Sequence, residues 1–183
     1  VGGRLGTVVT LVVATTLLAL LLAFRSVLVP VKAVLLNLLA VAGAFGALVL
    51  VFQDGHGIGW LGLEAPLDGV FPIVPPLVFC TVFGLSMDYE VFLVARVAEA
   101  RRSGMGEEDA LAEGLDRTGP VITSAAAIMI AVFAAFALGD FVLVKMLGFT
   151  LAVAVLLDAT VIRVAIGPAL LRLAGRWNWW PGA

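Results

Sequence analysis

The stretch GLSMDYEVFLVAR, Gly84 to Arg96, sets Asp88, Tyr89 and Glu90 side by side inside an apolar segment. A carboxylate in hydrocarbon costs a few kcal/mol on insertion scales, so it faces a bundle interior, a partner or a water-filled cavity rather than lipid. Low dielectric penalises the ionised form of such a group. Asp88 is therefore placed to bind and release a proton, as a relay requires. Tyr89 beside it offers a hydroxyl that can hold one protonation state. At 1.5 Å per residue, Asp88 lies about 12 Å along the helix from Arg96, which marks the membrane edge. Gly84, one turn earlier on the same face, lets another helix approach closely.

Glu90 points about 200° away from Asp88 on a helical wheel and needs its own partner, for which Arg163 is the candidate. Asp158 lies five residues before Arg163. That is a poor spacing for an ion pair on one α-helix, and pairing across helices is open to Asp158 instead. The competing reading of Glu90, Asp158 and Arg163 is that they only hold helices together. Ser124, with Thr118 and Thr123, supplies hydroxyls at a matching depth, although most membrane Ser and Thr side chains bond their own backbone. His56 is the only histidine and Cys80 the only cysteine. Neither suggests a metal site, and Cys80 reads as a small hydrophobe.

The elements that must position these groups are membrane helices. The chain has 183 residues, 62% of them hydrophobic and 13% charged, with a mean hydropathy of +1.15. Soluble domains are about 45–50% apolar and about 25% charged. About 20 apolar residues make a span, and hydrocarbon forces such runs into helices. The expected fold is an all-α polytopic bundle of five spans, at about residues 5–24, 27–52, 70–95, 118–138 and 142–171. A polar loop at 53–69 and a charged loop at 96–117 separate the central spans. The charged loop carries a short amphipathic surface helix that opens on Glu107, Glu108 and Asp109. Lys32 lies near a span end, where it can snorkel to the headgroups. Ala42, Gly43, Gly46 and Ala47 read as close helix packing.

One set of span ends carries Arg25, Lys32, Arg96, Arg101, Arg102, Arg117, Arg172 and Arg176, and the other only Arg4 and Lys145. The positive-inside rule makes the first set cytoplasmic. Val1 then lies outside, and the tail at 172–183 lies inside with Trp177, Trp179 and Trp180 as an interfacial belt. The start at Val1, without an initiator methionine, reads as a fragment of a longer protein. Net charge, −2, gives no reason to expect a nucleic-acid partner.

The ordered set GLSMDYEVFLVARVAEA, RTGPVITSAAAIM, LLDATVIRVAIGPALL and GRWNWWP, with FRSVLVPVKAVLLN before it, resembles the C-terminal membrane half of MMPL transporters. These are proton-driven exporters of the RND superfamily, of the actinobacterial type. The resemblance covers essentially the whole chain. It implies helices eight to twelve of a twelve-helix protein in the cell (inner) membrane. It implies that Asp88 and Tyr89 are half of a proton relay, that Ser124, Asp158 and Arg163 are supporting polar groups, and that protons are the only cofactor-like species. It also implies lipidic or hydrophobic cargo, and a missing N-terminal half of the same polypeptide that carries a second Asp-Tyr pair.

Two other functions compete with this one. A non-pumping superfamily relative with a sensing or sterol-handling role would share the fold. An intramembrane aspartyl protease would need Asp88 and Asp158 as a dyad with carboxyl groups about 3 Å apart, whereas by residue counting they sit at different depths.

Overall fold

Prolines and glycines decide where the helices begin and end. The computed structural model describes residues 2–24 and 26–174. Val1, Arg25, Arg176 and the tryptophans Trp177, Trp179 and Trp180 lie outside the described residues, as do the side chains of Arg4 and Glu90. Helix α1 spans Gly2–Phe24 and α2 spans Leu28–Leu48, continued by a π-helical turn at Val49–Gln53. Helix α3 runs Val74–Arg102, α4 Glu107–Ala137 and α5 Val142–Leu157. The last of these passes into a π-helical segment, Asp158–Ile166, and then into α6, Gly167–Ala174. The described residues form an all-α bundle. Four of its helices are long and apolar enough to cross a membrane, and a shorter apolar helix covers Gly6–Leu22.

Three boundaries near the middle of the chain differ from the sequence reading. Helix α3 begins at Val74 rather than at residue 70, with proline in its first turn. The absent N–H groups of Pro75 and Pro76 are harmless there. Its other end runs on past residue 95 to Arg102, where Gly104 at φ 95° turns the chain. The surface helix and the fourth span, expected as separate elements, are one continuous helix that carries Pro120 inside it. Its first turn holds Glu107, Glu108 and Asp109, which oppose the positive end of the helix dipole.

Helix α3 is the hub, packed on α1, α2, α4 and α5. Lipid tails are as apolar as leucine, so close packing rather than hydrophobic burial must hold such helices together. Small residues supply it. Ala33, Ala40 and Ala44 are fully buried on α2, as is Ala154 on α5. Of the glycines on α2, Gly43 sits against Leu157 and Gly46 faces open space. Gly148 is the tightest contact between α4 and α5. A Cβ there would lie 2.6 Å from both the Ala137 N and the Phe133 O. Backbone cannot move aside as a flexible side chain can. Gly148→Ala is expected to cost about 1–3 kcal/mol through overpacking. A melting temperature of the intact detergent-solubilised protein that falls no further than that of Gly46→Ala would refute this.

Lys145 tethers the end of the bundle away from the arginines. It is 7% exposed, and its ammonium donates to the Leu61 carbonyl. That carbonyl ends the short 3-10 turn Ile58–Leu61. At the arginine-rich end, Lys32 donates to the Leu170 carbonyl at 2.8 Å, rather than only reaching for headgroups. Arg96, Arg101, Arg117 and Arg172 pair with Glu99, Glu107, Glu113 and Glu108.

Candidate functional site

Helix α3 has one long face that no other part of the described chain covers. Ile73, just before the helix, and Leu77, Cys80, Gly84, Asp88, Phe92, Ala95 and Glu99 are all exposed. They recur every three or four residues, which is one face of an α-helix. Asp88 is the only acidic or basic side chain in the apolar part of this stripe. It has no hydrogen-bond or ion-pair partner among the described residues. Gly84 has open space where a Cβ would stand, so the close approach expected there is not made by any described helix.

Tyr89, the next residue, turns toward the bundle. Its hydroxyl lies 3.8 Å from the Met129 sulfur on α4, and its ring lies 5.1 Å from the Arg163 guanidinium carbon. Among the described residues the hydroxyl therefore serves Met129 and not Asp88, because neighbours on a helix point about 100° apart. A guanidinium at that distance from a ring makes a cation–π contact, which gains strength when desolvated.

Arg163 is the centre of a buried polar cluster that joins three helices. Its Nη2 donates to Asp158 Oδ2 at 2.9 Å and to the Ser86 carbonyl at 3.2 Å. The Ser86 hydroxyl donates in turn to Asn37 Oδ1 on α2. The Asp158 and Arg163 side chains are only 10% and 11% exposed. Arg163 thus has Asp158 as a carboxylate partner; the side chain of Glu90, the partner expected for it, lies outside the described residues. Asp158 and Arg163 pair despite the poor α-helical spacing, for a definite geometric reason. On an α-helix, residues five apart diverge by about 140°. This stretch is π-helical, and the Gly167 N–H bonds the Ile162 carbonyl five residues back. Bonding from i to i+5 stacks residues five apart, which brings the carboxylate under the guanidinium.

Ser124 is not brought into the cluster. Its hydroxyl bonds the Pro120 carbonyl at 2.7 Å, and Thr123 bonds the Gly119 carbonyl at 2.8 Å. Both are satisfied by their own helix. Two cluster members were missed in the sequence, Asn37 and Ser86, which are 1% and 2% exposed. Asn37 had a signal, as the one strongly polar side chain between Lys32 and Gln53. The aspartyl dyad is not formed, since Asp158 is held by Arg163 while Asp88 lies on the exposed stripe.

Residues 2–183 match the model of the MMPL family. The chain is 47% identical over 173 residues to the "Heme uptake protein MmpL11" of Mycobacterium tuberculosis, covering 94% of this chain and 18% of that protein. It is 44% identical over 171 residues to the "Putative membrane protein SCO6666" of Streptomyces coelicolor, covering 93% and 24%. It is 42% identical over 172 residues to the "Trehalose monomycolate exporter MmpL3" of Mycobacterium tuberculosis, covering 94% and 18%. The chain therefore spans about a fifth of the length of these relatives. With apolar helices long enough to cross a bilayer and a family match that runs its whole described length, the chain is part of a multi-pass membrane protein and belongs to the MMPL family.

Proposed function

We propose that this chain is a transmembrane module of a proton-driven exporter of lipidic or hydrophobic cargo, in which Asp88 and Tyr89 are one half of the relay. The observation that carries this reading is the exposed Asp88 at the middle of an otherwise apolar stripe on the hub helix. An ionisable group at membrane depth needs a partner or water, and the stripe has the shape of a docking face. A second membrane half with its own Asp-Tyr pair would cover it and bring two relay carboxylates within reach of each other. The names of the relatives, one an exporter and one an uptake protein, support transport as the class of activity, and the monomycolate exporter supports a lipidic cargo.

In this reading the arginine-rich end faces the cytoplasm, and the protein sits in the cell membrane with the start of this chain outside. Protons are the coupling ion and no other cofactor takes part. Protonation of Asp88 changes its charge, and so biases helix packing between two arrangements. The test is reconstitution of the intact polypeptide into liposomes with an imposed pH gradient. Movement of a labelled lipid is expected to follow the gradient and to stop when a protonophore collapses it. Movement that is indifferent to the gradient would sink the proton-driven reading.

A further inference from the structure

The polar cluster borders a small cavity that the relay reading does not use. It measures about 30 Å³ and is lined by Lys32, Leu36, Leu93, Asp158, Ile162 and Arg163, among others. A cavity needs about 10–15 Å³ of such volume to hold one water, and the water needs two to four polar partners. This one has room for about two waters. Two cations and a carboxylate in its wall supply the partners. Arg163 brings a further donor, since its Nε is buried and unpartnered. Lys32 and Leu170, joined by a hydrogen bond, close the wall toward the arginine-rich end. Both are only half-buried, as is Gly167 beside them.

We propose that this cavity is a water site that connects the Asp158–Arg163 pair to the aqueous phase at the arginine-rich face, with Lys32 at its neck. Asp158, which lines the cavity while Asp88 does not, is then the carboxylate reached through it. A hydronium entering past Lys32 gives its proton to a carboxylate oxygen of Asp158 and leaves as water. The neutral acid holds the guanidinium less firmly, since charge-assisted bonds are about twice as strong as neutral ones. Return of the proton to water restores the pair. The cavity is thus an access branch that needs only this half of the bundle. Its role in coupling rests on the proton-driven reading, whereas its hydration does not.

X-ray hydroxyl-radical footprinting of the intact protein in nanodiscs separates the two. Radicals form at bound water, so Leu36 on the cavity wall is expected to oxidise at least tenfold faster than Leu48. Both are buried leucines on α2, 7% and 1% exposed, and Leu48 does not line this cavity. Equal protection of the two would show a dry cavity and overturn the proposal, leaving the relay reading untouched. If Leu36 is labelled, Leu36→Phe fills the cavity. That variant is expected to lose its labelling at Ile162 and to lower gradient-driven transport at least tenfold at normal abundance. Transport unchanged in a folded Leu36→Phe protein would make the water structural only and overturn the access role. Should Leu36→Phe fail to accumulate, Lys32→Met serves instead, with a slowed oxidation of Leu36 expected and an unchanged rate counting against Lys32 as the neck. A protein that shows no gradient-driven transport even unmodified would fail the relay reading by itself.

Discussion

Asp88→Asn in the intact polypeptide is expected to lower gradient-driven transport at least 100-fold, about 2.7 kcal/mol at 1.36 kcal/mol per decade, while membrane abundance stays normal. The two halves of this expectation come from different observations. Abundance should hold because Asp88 is on the exposed stripe and no described residue depends on it for a hydrogen bond. Asparagine has the same shape and is cheaper to place in hydrocarbon than a carboxylate, so helix insertion does not suffer. Transport should fail because an amide cannot cycle a proton. The measurement is lipid movement in proteoliposomes, normalised to protein by immunoblot. Activity within threefold of the parent would show that Asp88 is not the coupling carboxylate. Tyr89→Phe gives a graded companion. It keeps the ring against Arg163 and removes only the hydroxyl that reaches Met129, so a loss there would report the hydroxyl itself.

The helices were legible because lipid leaves apolar runs few other conformations. The joints were less so. Residues 70–73 are apolar enough to join the third span, but the paired prolines set the helix start at Val74, a local backbone effect that hydropathy does not see. Asp88 could be singled out from composition, as a charge in the wrong solvent. The buried cluster behind it could not. α-Helical geometry disfavours the Asp158–Arg163 pair, and it exists because the backbone there is wound differently. Nothing in DATVIRVAI announces a π-helix. The winding and the ion pair need each other, so neither can be inferred without the other. Ser124 shows the opposite error. A hydroxyl at a suitable depth looked available, but the carbonyl of Pro120, one turn back on the same helix, takes it. Sequence spacing reports depth and face, and which acceptor wins is settled by tertiary packing.

Arg163→Met is expected to destabilise the bundle by about 3–5 kcal/mol, the usual cost of leaving one partner of a buried ion pair uncompensated. Asp158 is the group stranded. Its side chain is 10% exposed, and the guanidinium is its one hydrogen-bond partner among the described residues. The same change also frees the Ser86 carbonyl and removes the cation over the Tyr89 ring. The double variant Asp158→Leu/Arg163→Met should recover most of the loss, because well-packed apolar side chains replace buried ion pairs at little net cost. The decisive comparison is the melting temperature of the intact protein in detergent for parent, single and double variants. A double variant no more stable than Arg163→Met would show that the arginine acts through Ser86 and Tyr89 and not through the carboxylate. A stable double variant that no longer transports would separate the two roles of the pair. Folding would then need only that the charges cancel, whereas function would need them present, on a π-helical turn beside the relay.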